Sequence, residues 1–218
     1  MTKVFASILN ADLAHLADVS TVVADAGADY LHYDVMDGCF VDNLSFGLPV
    51  LQSLKRCASL PIDVHLMIKE PLRFVKRFAE AGADMISFHI ESDSDISKTI
   101  SVIHACGLPC GLAVSPDTPL EQLYPILPLL NDNDYILLMT VYPGWGSQKF
   151  MEEVLKKIRA LSAHLKAEHR NLHIQVDGGI QAETAARCRE AGADYMVSGT
   201  YIVNAENPQA AVASLRER

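Results

Sequence analysis

Positive charge is scarce in this chain: 18 Lys and Arg stand against 27 Asp and Glu, a formal net charge of -9 at pH 7. That balance argues against a nucleic-acid or anionic-membrane partner, and any phosphate ligand must be held without a broad basic patch. Paired cysteines are missing as well. The five cysteines, Cys39, Cys57, Cys106, Cys110 and Cys188, are odd in number and include no CxxC. They point to free thiols in a reducing compartment and away from a disulfide frame or a thiolate zinc site. No apolar run reaches membrane-spanning length, and the opening MTKVFASILNADLAHL meets Asp12 too soon for a signal peptide. A cytoplasmic setting is expected. Linkers and low-complexity stretches are also lacking, so residues 1–218 read as one domain.

What is present begins with a repeated phrase. AGAD occurs at Ala26–Asp29, Ala81–Asp84 and Ala191–Asp194, each time after a helix-like segment and before an apolar run. Gly27 and Gly82 are 55 residues apart, and Gly82 and Gly192 are twice that. Halving the shorter interval gives a unit of about 27 residues, one strand plus one helix, and eight such units fill the chain. Strands are expected at Val4–Leu9, Tyr30–Val35, Ile62–Met67, Met85–His89, Pro109–Val114, Tyr135–Thr140, His173–Val176 and Tyr195–Ser198. Most are continuous apolar runs, as in a parallel sheet covered by helices. The fold class is therefore α/β, a single (β/α)8 TIM barrel, with an open doubly wound sheet as the competing architecture.

Chemistry in such a barrel belongs at the carboxyl ends of the strands. On the second strand His32, Asp34 and Met36 share a face, because residues two apart project the same way. His65 lies near the end of the third strand and Asp177 at the end of the seventh. Two imidazoles and two carboxylates at one mouth make an N2O2 set for a divalent transition metal such as zinc, iron, manganese or cobalt. A metal-free acid/base pair or a structural polar layer remains open on these residues alone. Met36, Met67 and Met139 end strands at the same rim, as core filling or as a polarisable lining.

Glycine-rich turns follow the last three strands: YPGWGSQKF with Gly144, Trp145, Gly146 and Ser147, then DGG with Gly178 and Gly179, then SGT with Gly199 and Thr200. Exposed backbone N–H groups at such turns bind phosphate without a lysine, although each glycine alone serves equally well as a turn residue. Ser7 is placed to bond a substrate hydroxyl or its own backbone. His89 and Glu91 read as outer supports or as structural groups, and Asp63, deeper on the face of His65, as a structural polar group. His15, His104, His164 and His169 read as surface residues on helices. The stretch from Asp37 to Pro49 is the longest departure from the unit length and a candidate active-site loop.

Over nearly its whole length the chain resembles the ribulose-phosphate 3-epimerase family. The matching motifs are SILNADLA, HYDVMDGCFVDN, DVHLM, HIE, MTVYPGWGSQKF, VDGGI and SGT, in that order. The resemblance implies a barrel of the ribulose-phosphate-binding type and a metal bound by His32, Asp34, His65 and Asp177. It implies that Asp34 and Asp177 also carry the protons, with Ser7 and His65 at the substrate beside Met36, Met67 and Met139. Phosphate would be held by the loop from Gly144 to Ser147, by Gly178 and Gly179, and by Gly199 with Thr200. The expected reaction is metal-dependent epimerisation at carbon 3 of a ketose phosphate through a cis-enediolate, with D-ribulose 5-phosphate and D-xylulose 5-phosphate as first choice.

Departures from the family pattern gather in the substrate loops: Cys39 for His, Asp42 for Pro, Tyr142 for a polar or acidic residue, Trp145 for Phe, Ser147 for Gly and Thr200 for Ser. Ser147 stands where the family wants positive φ, which costs more with a side chain. Allulose 6-phosphate or a tetrulose phosphate is therefore the alternative substrate. A phosphosugar lyase usually calls for a strand-end lysine, and no strand core is read to contain one. A silent phosphosugar-binding protein would have a broken proton-carrier pair, yet Asp34 and Asp177 are both present. Oligomeric state is open, a homo-oligomer included.

Overall fold

Eight buried apolar runs need backbone partners, and they find them in one another. The computed structural model describes residues 2–216. Strands β1 (Lys3–Ser7), β2 (Tyr30–Met36), β3 (Ile62–Met67), β4 (Met85–His89), β5 (Cys110–Val114), β6 (Tyr135–Met139), β7 (His173–Asp177) and β8 (Tyr195–Ser198) pair in parallel and in chain order. The sheet closes where β8 returns to β1. Helices α1 (Leu16–Asp25), α2 (Leu48–Lys55), α3 (Val75–Ala81), α4 (Ile96–Ala105), α5 (Val154–Ala167), α6 (Ala182–Ala191), α7 (Thr200–Val203) and α8 (Pro208–Arg216) accompany the strands. No helix among the described residues is long and apolar enough to cross a membrane. Every expected strand is present, with ends shifted by up to two residues: β1 stops at Ser7, while β2 and β7 reach Met36 and Asp177.

The helix expected between β5 and β6 is absent. Pro116, Pro119, Pro125 and Pro128 crowd that segment, and proline removes the backbone donor that a helix interior needs. Two short 3-10 turns, Leu120–Gln122 and Leu127–Leu129, cross over instead.

The AGAD phrase has a structural meaning at the lower rim, where strands begin. Gly82 and Gly192 end α3 and α6 in the left-handed conformation, with φ of 110° and 111°. The aspartate that follows turns back onto the preceding odd strand and accepts the N–H of its first or second residue. Asp29 takes that of Val4 at 2.7 Å, Asp84 that of Ile62 at 2.7 Å, and Asp194 that of Ile174 at 3.2 Å. A fourth copy lies unannounced before β6, where Asp134 accepts from Cys110 N–H at 2.7 Å. Each carboxylate also meets a basic side chain: Arg216, Lys55, His173 and His104 for Asp29, Asp84, Asp194 and Asp134 respectively. His104 is thus a half-buried partner of Asp134, not a free surface residue. His169 lies beyond the end of α5, and the His164 ring stacks on Tyr124.

Strand parity sorts the side chains. Leu31, Tyr33 and Val35 face outward into the large apolar layer beneath the helices, while His32, Asp34 and Met36 face the barrel axis. The interior is layered. Phe5, Tyr30 and Tyr195 form an aromatic floor, with the Phe5 and Tyr30 rings stacked at 4.5 Å. Above it Tyr135 crosses the axis, and only glycine fits beside it, since a Cβ on Gly111 would come within 2.6 Å of the Tyr135 ring. The Tyr135 hydroxyl thereby reaches Asp63, and the polar layer begins.

Candidate active site

His32 and Asp34 of β2 meet Asp63 and His65 of β3 because the register pairs His32 with Asp63 and Asp34 with His65. His32 Nδ1 lies 3.0 Å from Asp63 Oδ2, and its Nε2 lies 3.2 Å from Asp34 Oδ1 and 3.8 Å from Asp177 Oδ2. His65 Nδ1 lies 3.1 Å from the same Asp34 oxygen and 4.0 Å from Asp177 Oδ2. One ligand atom from each of His32, Asp34, His65 and Asp177 falls within 4.8 Å of all the others. The four residues singled out from the sequence are brought together.

These groups fit a cation. His32 Nε2 is fully buried and has no hydrogen-bond partner among the described residues, although it points into the cluster. Burial lowers the proton affinity of His32, yet the negative charge of the nearby Asp34 carboxylate and the bond from Nδ1 to Asp63 outweigh it and raise its pKa well above the ordinary value. The site therefore demands positive charge at that place. Burial would raise Asp34, but the charge of His32, together with His65, holds it low. Asp177 goes the other way: burial, then the charge of Asp34, push it up to about 7. Two neighbouring carboxylates driven apart in this way are suited to opposite proton-transfer roles.

Several groups around the cluster act in ways the sequence did not announce. Asp63 is no isolated structural group; it backs His32 and is itself held by Tyr135 Oη–H at 2.6 Å and Gln175 Nε2–H at 2.9 Å. Its shared parity with His65 was the available signal. Burial opposes ionisation of Asp63, and the bond to His32 overrides it. Ser7 donates to Asp34 Oδ2 at 2.9 Å.

A cavity of about 410 Å³ opens above the cluster. Asp34, Asp177 and Ser7 form its base with Met36, Met67 and Met139, while His32 and His65 lie beneath. The glycine turns form its far wall, and every residue named in them from the sequence lines it: Gly144 to Ser147, Gly178, Gly179, Gly199 and Thr200. Gly178 and Gly179 hold φ of 119° and 64°, and a Cβ at either would collide with Val141 or with the Phe150 backbone. Ser147 does hold positive φ, 58°. Its hydroxyl accepts from Asn10 Nδ2 at 3.0 Å, which ties the loop after β6 to the segment after β1. Asn43 donates to Gly144 O at 2.7 Å and brings the β2 loop to the same wall. Asp37 shapes that loop by accepting from the N–H groups of Cys39, Phe40 and Lys69. Asn10 and Asn43 belong to the motifs SILNADLA and HYDVMDGCFVDN, but nothing local told of these contacts, since their partners lie more than 100 residues away. Among the described residues the only lysine in a strand, Lys3, opens β1 at the lower rim over the rings of Tyr30 and Tyr195, whereas Lys149, past the loop after β6 and outside any strand, lines the cavity.

The chain as a whole is similar to known proteins. Solved structures of similar fold include KGPDC from Streptococcus mutans, with a TM-score of 0.73 at 14% identity over 99% of this chain and 96% of that one. Another is 3-hexulose-6-phosphate synthase from Salmonella typhimurium, with a TM-score of 0.71 at 16% identity over 98% and 96%. Sequence relatives are nearer. The ribulose-phosphate 3-epimerase of Bacillus subtilis is 40% identical over 99% of both chains. That of Mycobacterium tuberculosis is 44% identical over 97% of this chain and 90% of its own, and the cytoplasmic isoform of Oryza sativa is 39% identical over 99% and 93%. The model of the ribulose-phosphate 3 epimerase family matches residues 3–203, and on these grounds the chain belongs to that family.

Proposed function

We propose that this chain is an isomerase that inverts carbon 3 of a ketose phosphate, with D-ribulose 5-phosphate and D-xylulose 5-phosphate as its substrate pair. The observation that carries the reading is the convergence of Asp34, from β2, and Asp177, from β7, at the base of one cavity, with His32 and His65 directly beneath them. Inverting a carbon beside a ketone requires a base on one face and an acid on the other. Asp34 takes the proton and Asp177 returns one from the opposite side, through a cis-enediolate, and the roles exchange in reverse. Ser7 orients Asp34 through the bond to Oδ2. The methionines keep the reacting carbon in a polarisable lining with little water.

His32 Nε2, His65 Nδ1 and the two carboxylates would hold one divalent metal, zinc, iron, manganese or cobalt. When bound it supplies Lewis acidity to the oxygens at the reacting centre. Gly178, Gly179, Gly199, Thr200 and the loop from Gly144 to Ser147 would hold the phosphate, and their binding energy orients carbon 3 between the aspartates. The enzyme works as one domain, residues 1–218, in the cytoplasm, where its cysteines stay reduced.

Turnover in deuterated water tests the reaction. Deuterium must enter at carbon 3 of the pentulose phosphate, and absence of exchange with every ketose phosphate tried would overturn the proposal. Exchange with allulose 6-phosphate or a tetrulose phosphate alone would move the substrate and keep the chemistry.

A further inference from the structure

Behind His65, on the side away from the carboxylates, runs a line of polar groups that the proposed reaction does not use. His65 Nε2 lies 3.0 Å from His89 Nε2, and His89 Nδ1 lies 3.1 Å from Glu91 Oε2. Both imidazoles are fully buried. Glu91 Oε1 accepts from the Ser115 N–H at 2.8 Å and from the Thr118 hydroxyl at 2.5 Å. Lys157 Nζ donates to the carbonyls of Ser115, Pro116 and Thr118 and so fixes the turn carrying both donors.

Each contact in this line needs one proton and one lone pair. The Ser115 N–H can only donate, so Oε1 accepts, and the other oxygen of the carboxylate accepts too. His89 therefore carries its proton on Nδ1. A neutral imidazole then presents a lone pair at Nε2, so His65 must donate from its own Nε2. That leaves the lone pair of His65 on Nδ1, the nitrogen that faces Asp34 and Asp177. We infer that Glu91, acting through His89, is a positioning residue that decides which nitrogen of His65 is free to bind metal. The inference rests on the metal site proposed above. His32 receives the same constraint directly, from Asp63 on its Nδ1.

An isosteric change reverses the line. In Glu91→Gln the Ser115 N–H holds the amide oxygen in the place of Oε1, and the NH2 group faces His89. His89 must then accept at Nδ1 and donate from Nε2, which puts the proton of His65 on Nδ1. Glu91→Ala leaves His89 free to take either tautomer. Zinc affinity, measured by competition with a chromophoric chelator, should fall about 10–100-fold in Glu91→Gln and by less in Glu91→Ala. A packing role gives the opposite order. That order, or wild-type affinity in Glu91→Gln, would overturn the inference.

Nitrogen-15 NMR of the metal-free protein separates this claim from the metal reading. The His89 proton should sit on Nδ1 in the wild type and on Nε2 in Glu91→Gln. If the wild type takes up no zinc while the proton moves as stated, the metal reading falls and the role of Glu91 over His89 stands. If the proton does not move, that role falls. Should Glu91→Gln fail to fold, a bare His89 Nδ1 in the wild type would overturn it.

Discussion

The two rims of the barrel are both rich in aspartate and use it in different ways. At the lower rim Asp29, Asp84, Asp134 and Asp194 stand 55, 50 and 60 residues apart, and all four do the same thing. Each accepts an N–H from the first or second residue of an odd strand and meets a basic side chain. At the upper rim Asp34 and Asp177 share no such spacing, and they crowd each other and two imidazoles. The need met at the lower rim is common to every second unit, because each parallel strand starts with a donor that must be satisfied. One solution can therefore repeat around the ring. Chemistry at the upper rim needs unlike groups from different units at one point, so it breaks the repeat. In this chain repetition marks structure, and departure from repetition marks the site.

The sharpest break in that comparison is Asp34→Asn. Proton exchange at carbon 3 should drop by roughly 10²–10⁴-fold, while the urea midpoint falls, because the folded site favours the Asp34 charge that the amide lacks. Unchanged exchange would remove Asp34 from its role. Asp63→Ala should act on both sides of the comparison, since Asp63 lies between the rims. It strands His32 Nδ1, the Tyr135 hydroxyl and Gln175 Nε2 without their shared acceptor. Urea unfolding should show a loss of about 3–5 kcal/mol, with weaker zinc uptake measured on the same protein. At the lower rim Asp134→Ala should cost about 1–3 kcal/mol, the penalty of a buried N–H left unsatisfied at Cys110. Its kcat should not change. A loss of activity at full stability would dissolve the distinction between the rims.

Legibility followed the same division. The eight strands were readable from apolar runs, and the cluster from parity along β2 and β3, because both are local patterns. Three of the four lower aspartates came with the AGAD phrase. Asp134 did not, since NDNDY keeps the carboxylate and loses the small residues that end a helix in the other copies. The missing helix before β6 is written in four prolines, but counting units conceals it. Contacts that cross strands were silent: Asp63 to His32, His65 to His89, and Asn10 to Ser147 span 24 to 137 residues. Spacing along one strand says which way a side chain points and says nothing of which neighbour the register supplies.

The smallest effects concern two residues that take positive φ without being glycine, one near each rim: His169 at 51°, just past α5, and Ser147 at 58°, in the loop after β6. Several helices here turn into the next strand at a glycine, and His169 occupies the corresponding place after α5. His169→Gly relieves the left-handed strain and should gain about 0.5–1 kcal/mol in urea unfolding, with KM and kcat unchanged. Ser147→Gly relieves the same strain but also removes the hydroxyl that accepts from Asn10. Its stability gain should be smaller, and the freed loop should raise KM for the phosphosugar while kcat holds. Equal behaviour of the two variants would mean that Ser147 merely tolerates its backbone. A rise in KM confined to Ser147→Gly would mean that the chain keeps a strained serine there to hold one wall of the cavity in place.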